Sequence, residues 1–204
     1  MLTDPVVNTS YARTPIGWLH RAFRTLKAIF RAQRAAVQGR CRRDLYVKAC
    51  PRRERCDHGG ECLDATALAM TREPAARKHG ALFEARFTAH AAHASKPQLF
   101  RTALAEAIRE VLSRAGWRPN GRDLFEVDGA FAIVPMIGGS EFICRDRLIL
   151  NGGARASRHP IGASGAGISA ILRAALEAGG TKRGVASQCI DGGETIAIEV
   201  ELVR

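Results

Sequence analysis

An apolar stripe between residues 99 and 116 constrains the fold of this chain more than any other feature. Its members recur every three or four residues, which places them on one face of a helix that must be buried against another element. Gly116 follows the last of them and ends the pattern. We therefore predict an amphipathic helix with the apolar positions Leu99, Ala103, Leu104, Ala107, Ile108, Val111, Leu112 and Ala115.

A strand pattern at the end of the chain supplies a layer for such a helix. Ile196, Ile198, Val200 and Leu202 occupy every second position, as expected of a strand with one buried face. A predicted strand over 184–189 precedes it across a glycine turn, so the two form a hairpin. Helices and strands interleave, which indicates an α/β layered fold. The other predicted elements are helices over 73–79 and 164–178, a strand over 6–7, a strand or short helix over 63–70, and short strands or buried segments over 124–127, 131–134 and 148–150.

Positive charge is concentrated in the first third of the chain. The net charge is +11, and residues 1–60 hold 13 basic and 4 acidic residues, whereas the other 144 are nearly balanced. Residues 18–37 have the spacing of a basic amphipathic helix, and residues 40–62 are predicted to form a loop rich in Arg, Cys and Gly. The helix has three interpretations: packing on the rest of the chain or on a second copy, lying on an anionic membrane, or acting as a targeting segment. Nucleic-acid binding by this basic part is a weaker alternative.

The cysteines argue against a secreted disulfide scaffold. Six cysteines in 204 residues are too few, no signal segment opens the chain, and no apolar run is long enough to span a membrane. We therefore expect a cytoplasmic protein with reduced thiols. Cys50, Cys56, His58 and Cys62 cluster closely enough to suggest zinc, but their spacing fits no common finger. We expect no metal site, and a basic segment with incidental thiols is the simpler interpretation.

Two segments in the second half carry candidate chemistry. Residues 151–165 form a glycine-rich turn that presents His159 just before a predicted helix, where glycines allow close backbone approach and a helix start offers N–H donors. A structural turn with a satisfied histidine is the alternative. Cys189 ends a predicted strand before the turn Asp191-Gly192-Gly193, where it could act as an acid or a base. Its alternative is a small buried side chain.

In this order, the two segments resemble the C-terminal domain of the thiolases, acyl-CoA acetyltransferases of the condensing-enzyme superfamily. The resemblance extends back through residues 123–132 and covers about 60–204, while Ala12-Arg13-Thr14-Pro15-Ile16-Gly17 is similar to the opening of a thiolase. It implies a thiolase-like layered fold, essentially the C-terminal half with a residual N-terminal strand. We divide the chain accordingly into that strand (1–17), a basic helix and Cys/Arg-rich linker (18–60) and a C-terminal domain (61–204).

The resemblance also implies roles for single residues. His159 matches the histidine that activates the nucleophile and, with a water, binds the thioester oxygen. Cys189 matches the second catalytic cysteine, which takes a proton from the α-carbon of acetyl-CoA or returns one. Asp128 stands where an asparagine holds the oxyanion water, and Ala130 and Phe131 stand where the pantetheine arm passes. No permanently bound cofactor is implied, and coenzyme A and acyl-CoA are substrates, in keeping with a place in fatty acid metabolism.

Departures from the family pattern predict impaired activity. None of the six cysteines is flanked by the glycine and serine of the thiolase nucleophile, so no covalent acyl intermediate is expected in a chain that we interpret as truncated. Arg158, Asp128 and Asp191 replace a glycine, an asparagine and a glycine. The sequence predicts a thiolase-like acyltransferase of impaired activity. The alternative is an inactive domain that pairs with itself or with another thiolase chain.

Overall fold

A mixed sheet is the centre of the fold. The computed structural model describes residues 5–13, 17–18, 46–49, 52–55, 61–64, 66–118, 123–128, 147–148 and 164–203. Its strands are β1 (Val6–Arg13), β2 (Gly17–Trp18), β3 (Tyr46–Ala49), β4 (Arg52–Arg55), β5 (Glu61–Asp64), β6 (Thr66–Arg72), β7 (Ala85–Ala94), β8 (Leu124–Asp128), β9 (Arg183–Cys189) and β10 (Glu194–Leu202). Its helices are α1 (Glu73–Lys78), α2 (Phe100–Ala115) and α3 (Ser164–Gly179), with 3-10 turns at Pro97–Leu99 and Asp191–Gly193.

Seven strands form the main sheet in the order β3-β6-β1-β7-β10-β9-β8, and β2, β5 and β4 form a small second sheet. Neighbours in the main sheet are antiparallel except β8 and β9, which run parallel with Asp128 opposite Gln188. In the β9–β10 hairpin, Cys189 lies opposite Thr195. The ends of β8 and β9 are therefore neighbours at one edge of the sheet.

Each face of the sheet is covered by one long helix. On the first face, Leu104, Ile108 and Val111 of α2 pack against a cluster that includes Phe125 and Val185. On the opposite face, Ile168, Leu172 and Leu176 of α3 pack against a cluster that includes Leu124, Ala186 and Val200. Alternate residues of β8 and β9 serve the two cores, as the period of two requires. The described part of the chain is a helix–sheet–helix sandwich, which confirms the predicted α/β class.

Gly184 allows these layers to meet closely. A Cβ built on Gly184 would lie 2.7 Å from the carbonyl oxygen of Leu124 and 2.7 Å from Leu172 Cδ1. Only a residue without a side chain fits there, so this glycine sets how near β9 comes to β8 and to α3.

Several predicted elements are confirmed with small shifts. α1, α2, α3, β8 and the final hairpin lie where the sequence places them. The prediction that Leu99 belongs to the apolar stripe is wrong. Leu99 precedes α2 and is 52% exposed, and the first buried residue of the stripe is Ala103. The strand predicted over 6–7 continues to Arg13 through its pairing with β6. Leu148 forms a single bridge with Phe125, and residues 131–134 and 149–150 lie outside the described residues.

The N-terminal third differs more from prediction. The loop predicted over 40–62 is wrong in part, because β3 and β4 lie within it and β5 begins there. These strands are held by backbone pairing, β3 with β6 and β4 with β5, which requires no apolar alternation. Trp18 belongs to β2 and does not start a helix, while the rest of the predicted helix lies outside the described residues. The segment predicted over 63–70 is divided between β5 and β6. The three-part division of the chain stays a prediction.

β7 is the largest element that the sequence analysis missed. It spans ten residues, Ala85–Ala94, and lies in the middle of the sheet between β1 and β10. Its pairing with β10 shifts between Glu199 and Val200, so that Thr88 is an extra residue on the β7 side. No helix in the described part of the chain combines the length and the apolar character that crossing a bilayer requires.

Candidate active site

Cys189 and Asp128 lie at the ends of neighbouring parallel strands. Cys189 is the last residue of β9, is half-buried, and packs against the core cluster on the α2 side. Asp128 is the last residue of β8, is 5% exposed, and lies opposite Gln188, the residue before the cysteine. The fold therefore brings a thiol and a carboxylate to the same edge of the sheet.

The surroundings of Cys189 keep it protonated. Burial raises the pKa of its thiol, and the negative charge of Asp128 raises it further. Together they raise the pKa from 9.0 to about 11. Both causes act against the thiolate, the first by removing water and the second by repulsion. At neutral pH the group is a thiol, which can donate a proton but is a weak base and a weak nucleophile.

The turn after Cys189 is hydrogen-bonded to the segment between β7 and α2. The Ile190 N–H donates to the Glu194 carbonyl at 2.7 Å, and the Ser95 N–H donates to the Gly193 carbonyl at 3.0 Å. Gly193 has a φ of +91°, and a Cβ there would lie 2.7 Å from the Ser95 carbonyl oxygen. A glycine is required at this position on both counts. The thiol at the end of β9 consequently stands on a rigid turn.

The start of α3 closes the other side of the strand end. Ser164, its first residue, is buried, and a Cβ on Gly165 would lie 3.6 Å from Gln188 Oε1. The residues that lead into α3 belong to the glycine-rich segment that carries His159. The described part of the site thus consists of two strand ends, one helix start and one hairpin turn.

The structure shows the positions of two of the predicted site residues. It brings Asp128 and Cys189 together, whereas His159, Ala130 and Phe131 lie outside the described residues. The roles of all five residues stay predictions. The effect of Asp128 on the thiol was not predicted from the sequence, although two predicted strands that end at or next to residues with titratable side chains were a signal for it. The described residues contain no cluster of three potential metal ligands. Of the suggested zinc set, Cys50, Cys56 and His58 lie outside them.

Comparison with known proteins agrees with this architecture. The fold and the strand end that carries Cys189 define a class of protein: a layered α/β domain with a protonated cysteine at one edge of its sheet. The family model "Thiolase, C-terminal domain" matches residues 82–202, and the chain therefore belongs to the thiolase family. An acetyl-CoA acetyltransferase of Thiocystis violacea is 34% identical over 138 residues, which are 67% of this chain and 35% of that protein. The cytosolic acetyl-CoA acetyltransferase of Rattus norvegicus is 41% identical over 96 residues, 47% of this chain and 24% of that protein.

Solved structures show the same relationship. The acetyl-CoA acetyltransferase of Bacillus anthracis superposes with a TM-score of 0.64 and 30% identity, covering 69% of this chain and 36% of that chain. Human mitochondrial 3-ketoacyl-CoA thiolase superposes with a TM-score of 0.66 and 32% identity, covering 71% of this chain and 37% of that chain. The chain thus spans about a third of the length of such relatives, for example 35% of the Thiocystis protein.

Proposed function

We propose that this chain is a thiolase-like acyl-CoA acyltransferase domain in which Cys189 is the proton-transfer group. The observation that carries the proposal is a half-buried thiol on a rigid turn at the end of β9, beside the end of β8. The family match over residues 82–202 and the names of the relatives, acetyl-CoA acetyltransferases and 3-ketoacyl-CoA thiolase, support acyl thioesters of coenzyme A as the substrate class.

The proposed chemistry transfers one proton between sulfur and carbon. When a 3-ketoacyl thioester is cleaved, the thiol of coenzyme A loses a proton to solvent, attacks the 3-keto carbon and takes the acyl group as a new thioester. The bond between the α- and β-carbons breaks, the acetyl thioester leaves as an enolate, and the Cys189 S–H, which is later reprotonated from solvent, gives its proton to the α-carbon. In condensation the thiolate takes that proton back and the enolate forms. A thiol with a pKa of about 11 is held in the donating form, which supports the cleavage direction. In this proposal His159 and a water bind the thioester oxygen, where negative charge develops.

We further propose that the activity of the chain by itself is impaired. No cysteine of the sequence has the glycine and serine neighbours of the family's nucleophile, and Asp128 places a carboxylate where an amide would bind an oxyanion water. Removing one oxyanion donor costs roughly 10²–10³ in rate, and a repelling charge adds to that loss. The alternative function is an inactive domain that binds another chain. For that alternative we expect a defined oligomer in light scattering, with itself or with an added thiolase.

Deuterium exchange tests the proton-transfer role separately from covalent catalysis. The purified chain is incubated with acetyl-CoA in D₂O, and deuterium at the acetyl methyl group is measured by mass spectrometry. We expect exchange above the buffer rate that is lost in Cys189→Ala and kept in the control Cys144→Ala. Absence of exchange in the unaltered chain would refute the role of Cys189 and favour the inactive domain. Rapid thiolysis of acetoacetyl-CoA by the unaltered chain would contradict the proposed impairment.

A further inference from the structure

A cavity of about 780 Å³ opens on the α3 face of the sheet, away from the cysteine. Most of its wall is apolar and comes from five strands and the first turns of α3, including Leu68, Met70, Phe87, Ile168, Ile196 and Ile198. Its volume lies within the range of roughly 300–1,000 Å³ that is usual for small-molecule sites.

The cavity exists because two strands separate. β1 pairs with β6 over its whole length, but with β7 only from Val6 to Asn8. A register shift between Asn8 and Ser10 marks the point where the β1–β6 pair departs from β7. Such an irregularity bends a strand and increases its twist, so space opens between the pair and the rest of the sheet. The start of α3 lines the same space with Gly165, Ala166 and Ser169.

The charges of the wall are one-sided. Among the residues that the structure describes, no Asp or Glu lines the cavity, whereas Arg72, which carries a guanidinium group, does. Ser169 donates its hydroxyl to the Gly165 carbonyl at 2.7 Å, and Gln188 Oε1 is buried without a hydrogen-bond partner among the described residues. The wall therefore combines a large apolar surface with a guanidinium group and an amide, which suits an apolar molecule with a negative head.

The cavity is small for a partner helix. A helix about 10 Å across occupies roughly 120 Å³ per residue, so the space would hold fewer than two helical turns. A single alkyl chain is narrower and fits between a sheet and a helix. An arginine such as Arg72 can bind a carboxylate through charge and paired N–H donors, which a neutral apolar ligand would not use.

We propose that this cavity binds a fatty carboxylate, with its alkyl chain on the apolar wall and its carboxylate at Arg72. Gln188 lines the cavity, while the next residue, Cys189, packs on the opposite face of the sheet. The proposed site is therefore separate from the proton-transfer site and does not rest on the proposed function.

Calorimetric titration of the full chain with octanoate, decanoate and dodecanoate, each below its micelle concentration, tests the proposal. We expect one site and an affinity that rises about fourfold per added methylene, since each buried CH₂ is worth about 0.8 kcal/mol. Ala166→Phe fills the cavity and should weaken dodecanoate at least tenfold, whereas Ala174→Phe, at an exposed position of the same helix, should not. Arg72→Gln should weaken dodecanoate but not dodecanol, and Lys182→Gln, at an exposed residue outside the cavity, should weaken neither.

Circular dichroism and thermal melting establish that each variant is folded. Affinity that does not depend on chain length, or equal losses in the two phenylalanine variants, would overturn the proposal. A self-association that Ala166→Phe abolishes would identify a second copy as the occupant, and cosedimentation with anionic phospholipid vesicles without binding of free dodecanoate would identify a membrane. Either result would also overturn it.

Discussion

Replacing Asp128 by asparagine should make Cys189 more acidic and more reactive. Asp128→Asn keeps the size of the side chain and removes the negative charge that raises the pKa of the thiol. Burial, the larger cause, stays in place. The pKa of Cys189 should therefore fall from about 11 and remain above the ordinary 9.0.

The magnitude follows from the thiolate fraction. A thiol with a pKa of about 11 has roughly a hundredfold less thiolate at pH 8 than one with a pKa of 9.0. A more basic thiolate is intrinsically more nucleophilic, with a Brønsted slope of about 0.4–0.5, so the net loss of alkylation rate is about tenfold. Because burial is the larger cause, less than half of the shift comes from Asp128, and Asp128→Asn should accelerate alkylation by less than about fourfold.

Iodoacetamide labelling over a range of pH, with peptide mapping by mass spectrometry, reports Cys189 separately from the other cysteines. Glu106→Gln removes a negative charge from an α2 residue that forms a surface ion pair with Arg109, and it should leave the labelling of Cys189 unchanged. A wild-type midpoint near 9, or an Asp128→Asn rate equal to the wild-type rate, would show that the carboxylate does not act on the thiol.

Three further perturbations test the fold around the site. Gly193→Ala should lower stability by roughly 2–3 kcal/mol in urea unfolding, because a left-handed backbone and contact with the Ser95 carbonyl both oppose a Cβ. Glu73→Gln should lower the free energy of unfolding by about 1–2 kcal/mol at pH 7, because the Arg86 guanidinium, followed by Arg77, lowers the pKa of Glu73. The stability that this carboxylate adds above pH 4.5 is lost as the pH falls through its lowered pKa. The unfolding free energies of wild type and variant should therefore converge in acid. Burial raises the pKa of Glu199 despite its hydrogen bond from Thr88. The stability that protonated Glu199 contributes is therefore present below pH 4.5 and lost as the pH rises through its raised pKa. Glu199→Gln should remove this loss of stability at high pH, and a variant less stable than wild type at pH 8 would contradict the prediction.

Elements with a regular period could be predicted from the sequence, and elements without one could not. α2 and β10 each bury one face, so their residues repeat at the spacing of a helix and of a strand. β7 buries mostly alanines, which give little contrast between its faces. The extra residue at Thr88 also interrupts its period of two, so neither composition nor alternation indicated a central strand.

The local features of the site could be predicted from the sequence, and the contact between its two strands could not. The position of Cys189 at a strand end follows from local signals, because a glycine turn comes next. The proximity of Asp128 depends on the parallel pairing of β8 with β9, whose paired residues are 60 positions apart, as in Asp128 and Gln188. Local patterns do not encode such pairing, and the charge effect on the thiol could not be derived without it.

The first strand is integral to this domain. β1 lies in the middle of the seven-stranded sheet between β6 and β7, and Val7 is fully buried. Asn8 of β1 accepts a hydrogen bond at 2.6 Å from the guanidinium of Arg173, a residue of α3. Arg173 is 3% exposed and also forms ion pairs with Glu84 and Glu177. A buried guanidinium is tolerated only with such partners. The opening residues therefore complete the sheet and help to hold α3, the helix that borders both the strand end of Cys189 and the apolar cavity.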